Sequence, residues 1–114
     1  MKRNIVFSLM WGMWILALGS CKKEKVAACD EEVTYESHVR AIIQQNCTVT
    51  GCHDGSNAMR KPLRTYDEVM AVIDWVERRA VIEKSMPPAA SGGPLSEEEI
   101  RILRCWLEQG TPEK

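Results

Sequence analysis

Large aromatic side chains are scarce in this sequence. Beyond residue 20 there is no phenylalanine, and the aromatic supply is Tyr35, Tyr66, Trp75 and Trp106. A domain of this size is near the limit at which a hydrophobic core alone suffices. So thin a supply implies that something other than side chains helps to fill the centre. No segment alternates polar and apolar residues as a half-buried strand does, which excludes a sheet. There is no internal repeat, which excludes a solenoid. Nor is there a basic tract: beyond residue 20 the chain carries 13 basic and 16 acidic side chains, and nucleic acid is excluded as a partner.

Long apolar runs are also missing, with one short exception at the start. Lys2 and Arg3 precede "IVFSLMWGMWILALG", which is short for a comfortable membrane span and has the order of an export signal. Its end, Leu18-Gly19-Ser20-Cys21, resembles a bacterial lipoprotein box, with small residues for the peptidase and a cysteine to carry the lipid. Residues 1–20 are then a signal peptide and residues 21–33 a lipidated cysteine and linker, in which "KKEK" is a solvated spacer. Residues 34–114 form the working domain. An uncleaved single-span anchor is the alternative. In either case the domain is exported and held to a bacterial membrane, on the periplasmic side or at the cell surface.

What is present is helical periodicity. Thr34 is placed to cap a helix running to about Gln45, with Val39, Ile42 and Ile43 at i, i+3 and i+4. The sequence Thr65-Tyr66-Asp67-Glu68 has the form of a capping box. Behind it Val69, Val72, Ile73, Val76 and Ala80 keep helical spacing, with a break expected near Arg78-Arg79 and an end near Ser85. A second capping box, Ser96 to Glu99, opens a last helix whose apolar positions are Ile100, Leu103 and Leu107, with Ile102 and Trp106 beside them. Gly110 stands where a C-cap is expected. Two segments, "NCTVTGCHDGSNAMRKPLR" and "MPPAASGGP", are expected to be irregular. The fold class is all-α.

Five cysteines are many for an exported chain in which idle thiols oxidise. Cys21 is assigned to lipid. Cys29 and Cys105 are candidates to pair, and closing so long a loop contributes about 4 kcal/mol in the chain-entropy account; two unpaired thiols are the alternative. Cys47 and Cys52 are followed at once by His53. A disulfide between them leaves His53 unexplained. A zinc site uses all three but needs a fourth ligand. Covalent haem attachment also uses all three: two thioethers tether the ring, and tethering brings the adjacent imidazole beneath the iron. The usual spacing for that chemistry is C-x-x-C-H. Here it is C-x4-C-H, and Gly51 is suited to let the extra residues bulge. For a sixth ligand Met86 is the candidate, because it stands in a loop and Pro87 keeps it out of helical geometry. Met59, Met70 and His38 are weaker candidates. The run "RKPLR" at 60–64 is read as a solvated face, with contacts to haem carboxylates or an acidic partner as the alternative.

Taken together, "NCTVTGCH", "TYDEV", "MPP" and "LSEEEIRILRCWLEQGTP" resemble the small single-haem cytochrome c domains of bacterial lipoproteins, over about residues 34 to 112. That resemblance implies a cytochrome c-like fold of three to four helices wrapped around one covalently bound haem c. It also implies thioethers at Cys47 and Cys52, proximal ligation by His53 and distal ligation by Met86. The expected function is electron transfer rather than enzymatic turnover, carrying single electrons between exported or membrane redox proteins. The alternatives are a peroxidase-like or ligand-sensing haem protein with an exchangeable sixth ligand, and a structural zinc or disulfide lipoprotein.

Overall fold

In the computed structural model of the protein, residues 28–114 are described; the expected export signal and the expected lipidation position Cys21 lie outside the described residues. All regular structure among the described residues is helical. None of these helices is long and apolar enough to cross a membrane.

Thr34 starts the first element. Its backbone is extended, and its hydroxyl accepts from the Ser37 N–H at 3.3 Å, satisfying one of the orphan donors of the first turn. A wide π-helical turn, Tyr35–Val39, then runs directly into the α-helix Arg40–Asn46; the two together are α1. Val39, Ile42 and Ile43 are buried, as their spacing predicts. His38 is used locally, its Nδ1 accepting from the Thr34 N–H at 3.2 Å.

The middle of the chain departs from expectation in three places. Thr65 caps α2 (Tyr66–Met70), accepting from the Glu68 N–H at 3.2 Å, but the reciprocal half of the capping box is missing. The Glu68 carboxylate instead accepts from the Arg64 N–H at 2.7 Å and pairs with the Arg64 guanidinium, a charge-assisted partner that outcompetes a neutral amide. The helix breaks earlier than expected, at Ala71 and Val72, where Val72 leaves helical geometry (φ −134°, ψ 27°). It resumes as α3, an α-helical turn Ile73–Val76 continued by the π-helical Glu77–Ile82. There is no break at Arg78-Arg79. The end comes before Ser85, with Lys84 in the left-handed region (φ 52°). Finally, "MPPAASGGP" contains one 3-10 turn, Ala89–Ser91, entered from Pro88 in extended geometry and left through Gly92 at φ 108°.

The last helix, α4 (Glu97–Glu108), follows its sequence signals closely. The Ser96 hydroxyl accepts from the Glu99 N–H at 3.2 Å, and the Glu99 carboxylate accepts from the Ser96 N–H at 2.8 Å. Glu97, Glu98 and Glu99 put negative charge where the helix dipole favours it. At the other end Gly110, at φ 85°, follows the C-cap Gln109. Its N–H bonds to Leu107 O, and the Thr111 N–H bonds to Trp106 O, which is a Schellman motif.

The core lies where α4 meets α1 and α3. Ile100, Leu103 and Trp106 are buried on α4, while Leu107 is only half-buried, so the inward face is turned slightly from the one the spacing suggests. Trp106 packs with Tyr35 and Tyr66, ring centroids 5.4–6.4 Å apart. Both ends of the described chain are tied to this cluster. The Pro112 carbonyl accepts from the Trp106 indole and from the Tyr35 N–H, each at 2.9 Å. The Tyr66 hydroxyl donates to Thr111 O at 2.8 Å, and Gln109 accepts from the Val33 N–H at 2.8 Å.

Cys29 and Cys105 are joined by a disulfide, with Cα atoms 5.4 Å apart. It fixes the segment before α1 to the buried side of α4, where Cys105 is fully enclosed. The paired variant Cys29→Ala/Cys105→Ala is expected to lose roughly 4 kcal/mol of unfolding free energy, as loop closure in the unfolded chain predicts. Urea unfolding checks this, and a loss well under 1 kcal/mol would show that the bridge does not constrain the unfolded state.

Candidate functional site

The residues between α1 and α2 are shaped by backbone hydrogen bonds rather than by regular structure. Cys47 is the C-cap of α1, its N–H bonding to Ile43 O at 2.8 Å. The chain then leaves and returns: the Cys52 N–H bonds to Val49 O at 2.9 Å, and the His53 N–H bonds back to Cys47 O at 3.0 Å. The four residues between the cysteines thus form a closed loop, with Val49, Thr50 and Gly51 exposed. Gly51 sits at φ 79°, and no atom lies near enough to obstruct a side chain there, so its backbone conformation is the constraint. The His53 carbonyl in turn accepts from the Leu63 N–H at 2.9 Å, pinning the far side of the loop.

The imidazole of His53 is itself held. Nδ1 lies 2.6 Å from the carbonyl oxygen of Lys61. A carbonyl can only accept, so Nδ1 carries a proton, and in the neutral imidazole it is Nε2 that has the lone pair. This is the arrangement that orients a histidine for ligation through Nε2.

These residues open onto a cavity of about 460 Å³, inside the range of roughly 300–1,000 Å³ common for cofactor and small-molecule sites. Ile43, Leu63, Leu95 and Leu103 give it apolar walls from the core, and Val72, Val76 and Ala80 continue them from the α2–α3 side. Cys47, Cys52 and His53 line it. Met86 lines it too, delivered 33 residues later in sequence by the loop after α3, where the Met86 N–H bonds to Arg79 O at 3.1 Å and the buried Pro87 follows through a cis peptide. All four of the predicted site residues in the domain therefore share one cavity. His38 and Met70 do not line it, whereas Met59 does, at 93 % exposure. Met59 belongs to the segment whose Lys61 carbonyl holds His53, so it comes from the side of the histidine.

No family model, curated protein or solved structure matches the chain.

The two thiols are not joined to each other. Among the described residues no three histidine, cysteine, aspartate or glutamate side chains gather closely enough to hold a metal ion. Cys47, Cys52 and His53 thus do not converge on a point, as a zinc ion requires. They are spread around a volume. Burial pushes the Cys47 thiol up to about 11, with the charges of Cys52 and Glu99 adding to the shift, so at neutral pH it is a protonated, weakly nucleophilic thiol. Several participants were not legible in the sequence. The Lys61 carbonyl carries no side-chain signal, and the place of Trp75 and Arg79 at the cavity depends on where the helix breaks.

The raised Cys47 value has a definite consequence. The folded-state value exceeds the ordinary one of 9.0, so the stabilising contribution of the neutral thiol is complete below about pH 9 and is lost as pH rises towards 11. In protein whose cysteines carry no adduct, alkylation of Cys47 by iodoacetamide at about pH 8 is expected to be roughly 100-fold slower than in urea, since the thiolate fraction falls tenfold per unit. Peptide mapping reads this directly, and equal rates in the two states would refute the burial of this thiol.

Proposed function

We propose that the protein is a membrane-anchored c-type cytochrome that carries single electrons between exported or membrane redox partners. The observation that carries this reading is the convergence of Cys47, Cys52, His53 and Met86 on one largely apolar cavity, although Met86 is remote in sequence. The residues fit a covalently bound haem. The two cysteines are free to form thioethers, the His53 tautomer leaves Nε2 available, and a methionine sulfur is at hand for a second axial position. When bound, haem supplies a one-electron ferric/ferrous couple, and methionine ligation with burial favours the reduced form.

The chain's own contribution is positioning. The bond of the His53 N–H to the Cys47 carbonyl keeps the imidazole beside the attachment thiols. The Lys61 carbonyl fixes the plane of that imidazole and the proton on its Nδ1. Aliphatic walls from α1, α3 and α4 would limit water around a bound haem on that side, which lowers the reorganisation that accompanies each change of charge. The lipid proposed at Cys21 confines the carrier to the membrane surface. In a carrier of this kind His53 and Met86 would both hold the haem, leaving no open site for a substrate.

One observation favours a second reading. Met86 is 41 % exposed, so the residue is not enclosed on all sides. An exchangeable sixth position would make the protein peroxidase-like or a sensor of small ligands. Met86→Ala separates the two. A carrier is expected to lose its low-spin spectrum and lower its midpoint potential in this variant, whereas an unchanged spectrum and potential would remove Met86 from the axial position. Peroxide turnover that is already high in the unmodified protein favours the second reading.

The decisive test of the reading as a whole is the spectrum of reduced, denatured protein in alkaline pyridine after expression with a haem-attachment machinery. Haem that stays with the polypeptide through acid–organic extraction is expected, and it should be lost in Cys47→Ala/Cys52→Ala. Protein that lacks haem where a control cytochrome matures normally would sink the proposal, and would return the cysteines to a structural role.

A further inference from the structure

Two pairs of cysteines share this small domain, and the charges beside them differ in sign. Cys29 is half-buried while Cys105 is fully enclosed, so of the two bridged sulfurs only that of Cys29 can be reached from outside. Cys29 is followed by Asp30, Glu31 and Glu32, all exposed. This acidic run is held in place by the Gln109 side chain, which donates to Glu31 O at 2.8 Å and accepts from the Val33 N–H at 2.8 Å. Glu108 joins it from α4, with a carboxylate oxygen 3.4 Å from Cys29 Sγ. A bridged sulfur carries no proton, so this contact sets a negative charge against the disulfide and is not a hydrogen bond. One turn back on the same face of α4, Arg101 is engaged by Glu98 through two donors at 2.7 and 2.8 Å, and its charge reaches Asp30 and Glu31 without pairing. Among the described residues no cation forms an ion pair with Asp30, Glu31, Glu32 or Glu108. The cavity lined by Cys47 and Cys52 is the reverse: its charged lining is Arg60, Lys61 and Arg79, with no carboxylate. The charge of Glu99 reaches Cys47 from α4, which leaves Cys52 as the better reporter of those cations.

A disulfide opens when a thiolate attacks one sulfur and expels the other as a thiolate. Enclosure blocks attack on Cys105. Attack on Cys29 expels Cys105 into the apolar core, where its charge is poorly solvated. The attacker must also approach past Glu108 and the acidic run, so a further negative charge on it slows the encounter and a positive one speeds it. We propose that Cys29 is the exchange sulfur of the bridge, and that the charges around the two pairs sort thiols by sign. Anionic thiols are turned away from Cys29 and drawn to the cavity of Cys52. In the exchange the attacking thiolate bonds to Cys29 Sγ, the bond to Cys105 breaks, and Cys105 leaves as a thiolate that takes a proton from water. A second thiol of the reductant then releases Cys29, and the reductant ends as a disulfide. Resting on the reading above, the consequence is selective: an anionic thiol reductant keeps Cys47 and Cys52 open to thioether formation without undoing the bridge that holds the segment before α1 to α4.

The bridge is tested in the full chain as isolated, whether or not it carries haem. It is opened with cysteamine, a cationic thiol, or with 2-mercaptoethanesulfonate, an anionic one, and the products are trapped by alkylation and mapped. Rates are taken per thiolate, with rates in urea as the reference for each reagent. At about 10 mM salt the cationic thiol is expected to be faster by about tenfold, and the gap should close near 1 M salt as the screening length falls from about 30 to 3 Å. The first adduct should lie on Cys29, and Glu31→Gln/Glu108→Gln should narrow the gap. A first adduct on Cys105, or equal rates at low salt, overturns the assignment. The second arm reacts Cys52 of the haem-free full chain with the symmetrical disulfides of the same two thiols. The anionic reagent should be the faster here, and Arg60→Gln/Lys61→Gln should remove its advantage; the same preference at Cys52 as at Cys29 overturns the sorting. Neither arm reads haem, so failure here and failure of the cytochrome reading are separate results.

Discussion

The rest of the structure depends on the contact between α1 and α4, and that contact is centred on Trp106. Its indole N–H and the Tyr35 N–H share one acceptor, the Pro112 carbonyl, so a single oxygen joins the last turn of α4, the start of α1 and the end of the described chain. Full enclosure of Trp106 makes this arrangement costly to open, because an indole N–H stripped of its partner and of water is penalised. The Schellman motif at Gly110 is what turns Pro112 back towards the indole. From this anchor α1 extends to Asn46, whose side chain donates to Glu99 at the other end of α4 at 2.9 Å. Two contacts, one near each end of α1, therefore set where Cys47 enters the cavity.

Glu99 has three duties at that second contact. It accepts from the Ser96 backbone, the Ser96 hydroxyl and Asn46, and although burial works to raise its carboxyl, these donors hold it below the usual carboxylate range. The same negative charge adds to the shift that keeps Cys47 protonated. Helix capping, interhelical contact and thiol reactivity are thus linked through one side chain. This linkage explains how one chain can hold two kinds of cysteine. Cys29 and Cys105 lie at bonding separation and are joined. Cys47 is half-buried and neutral at ordinary pH, and thiol–disulfide exchange requires a thiolate.

The parts of the fold legible in the sequence are those fixed by local chemistry. Thr34, Ser96 and Gly110 terminate helices for reasons contained within a few residues, and the apolar stripes of α1 and α4 need only their spacing. The middle of the chain was less legible because non-local choices decide it. Thr65 to Glu68 has the form of a capping box, but Arg64 one residue upstream captures the Glu68 carboxylate. Val69, Val72, Val76 and Ala80 fit one continuous helix by spacing; the break at Ala71 and Val72 instead leaves Val69 and Ala80 in the core, with Val72, Val76 and Ala80 also lining the cavity. Cys47, Cys52, His53 and Met86 were legible as residues. Their second layer was not, since the Lys61 carbonyl has no signature in a sequence.

The spacing between the cysteines is the feature that departs most from the pattern of covalent haem attachment, and for the proposed haem two added residues need not change the geometry that attachment would require. Tethering requires that the histidine stay adjacent to the second thiol and that the pair stay in register with the first. Adjacency is guaranteed by sequence. Register is set here by the bond from the His53 N–H to the Cys47 carbonyl, which closes the loop at its base. The added length is absorbed outward, through Val49, Thr50 and a left-handed Gly51, away from the cavity. A loop of this kind separates two constraints that a shorter spacing merges: the cysteines and histidine are placed by the cavity side, while the intervening residues are free to vary provided that the position of Gly51 retains its backbone freedom.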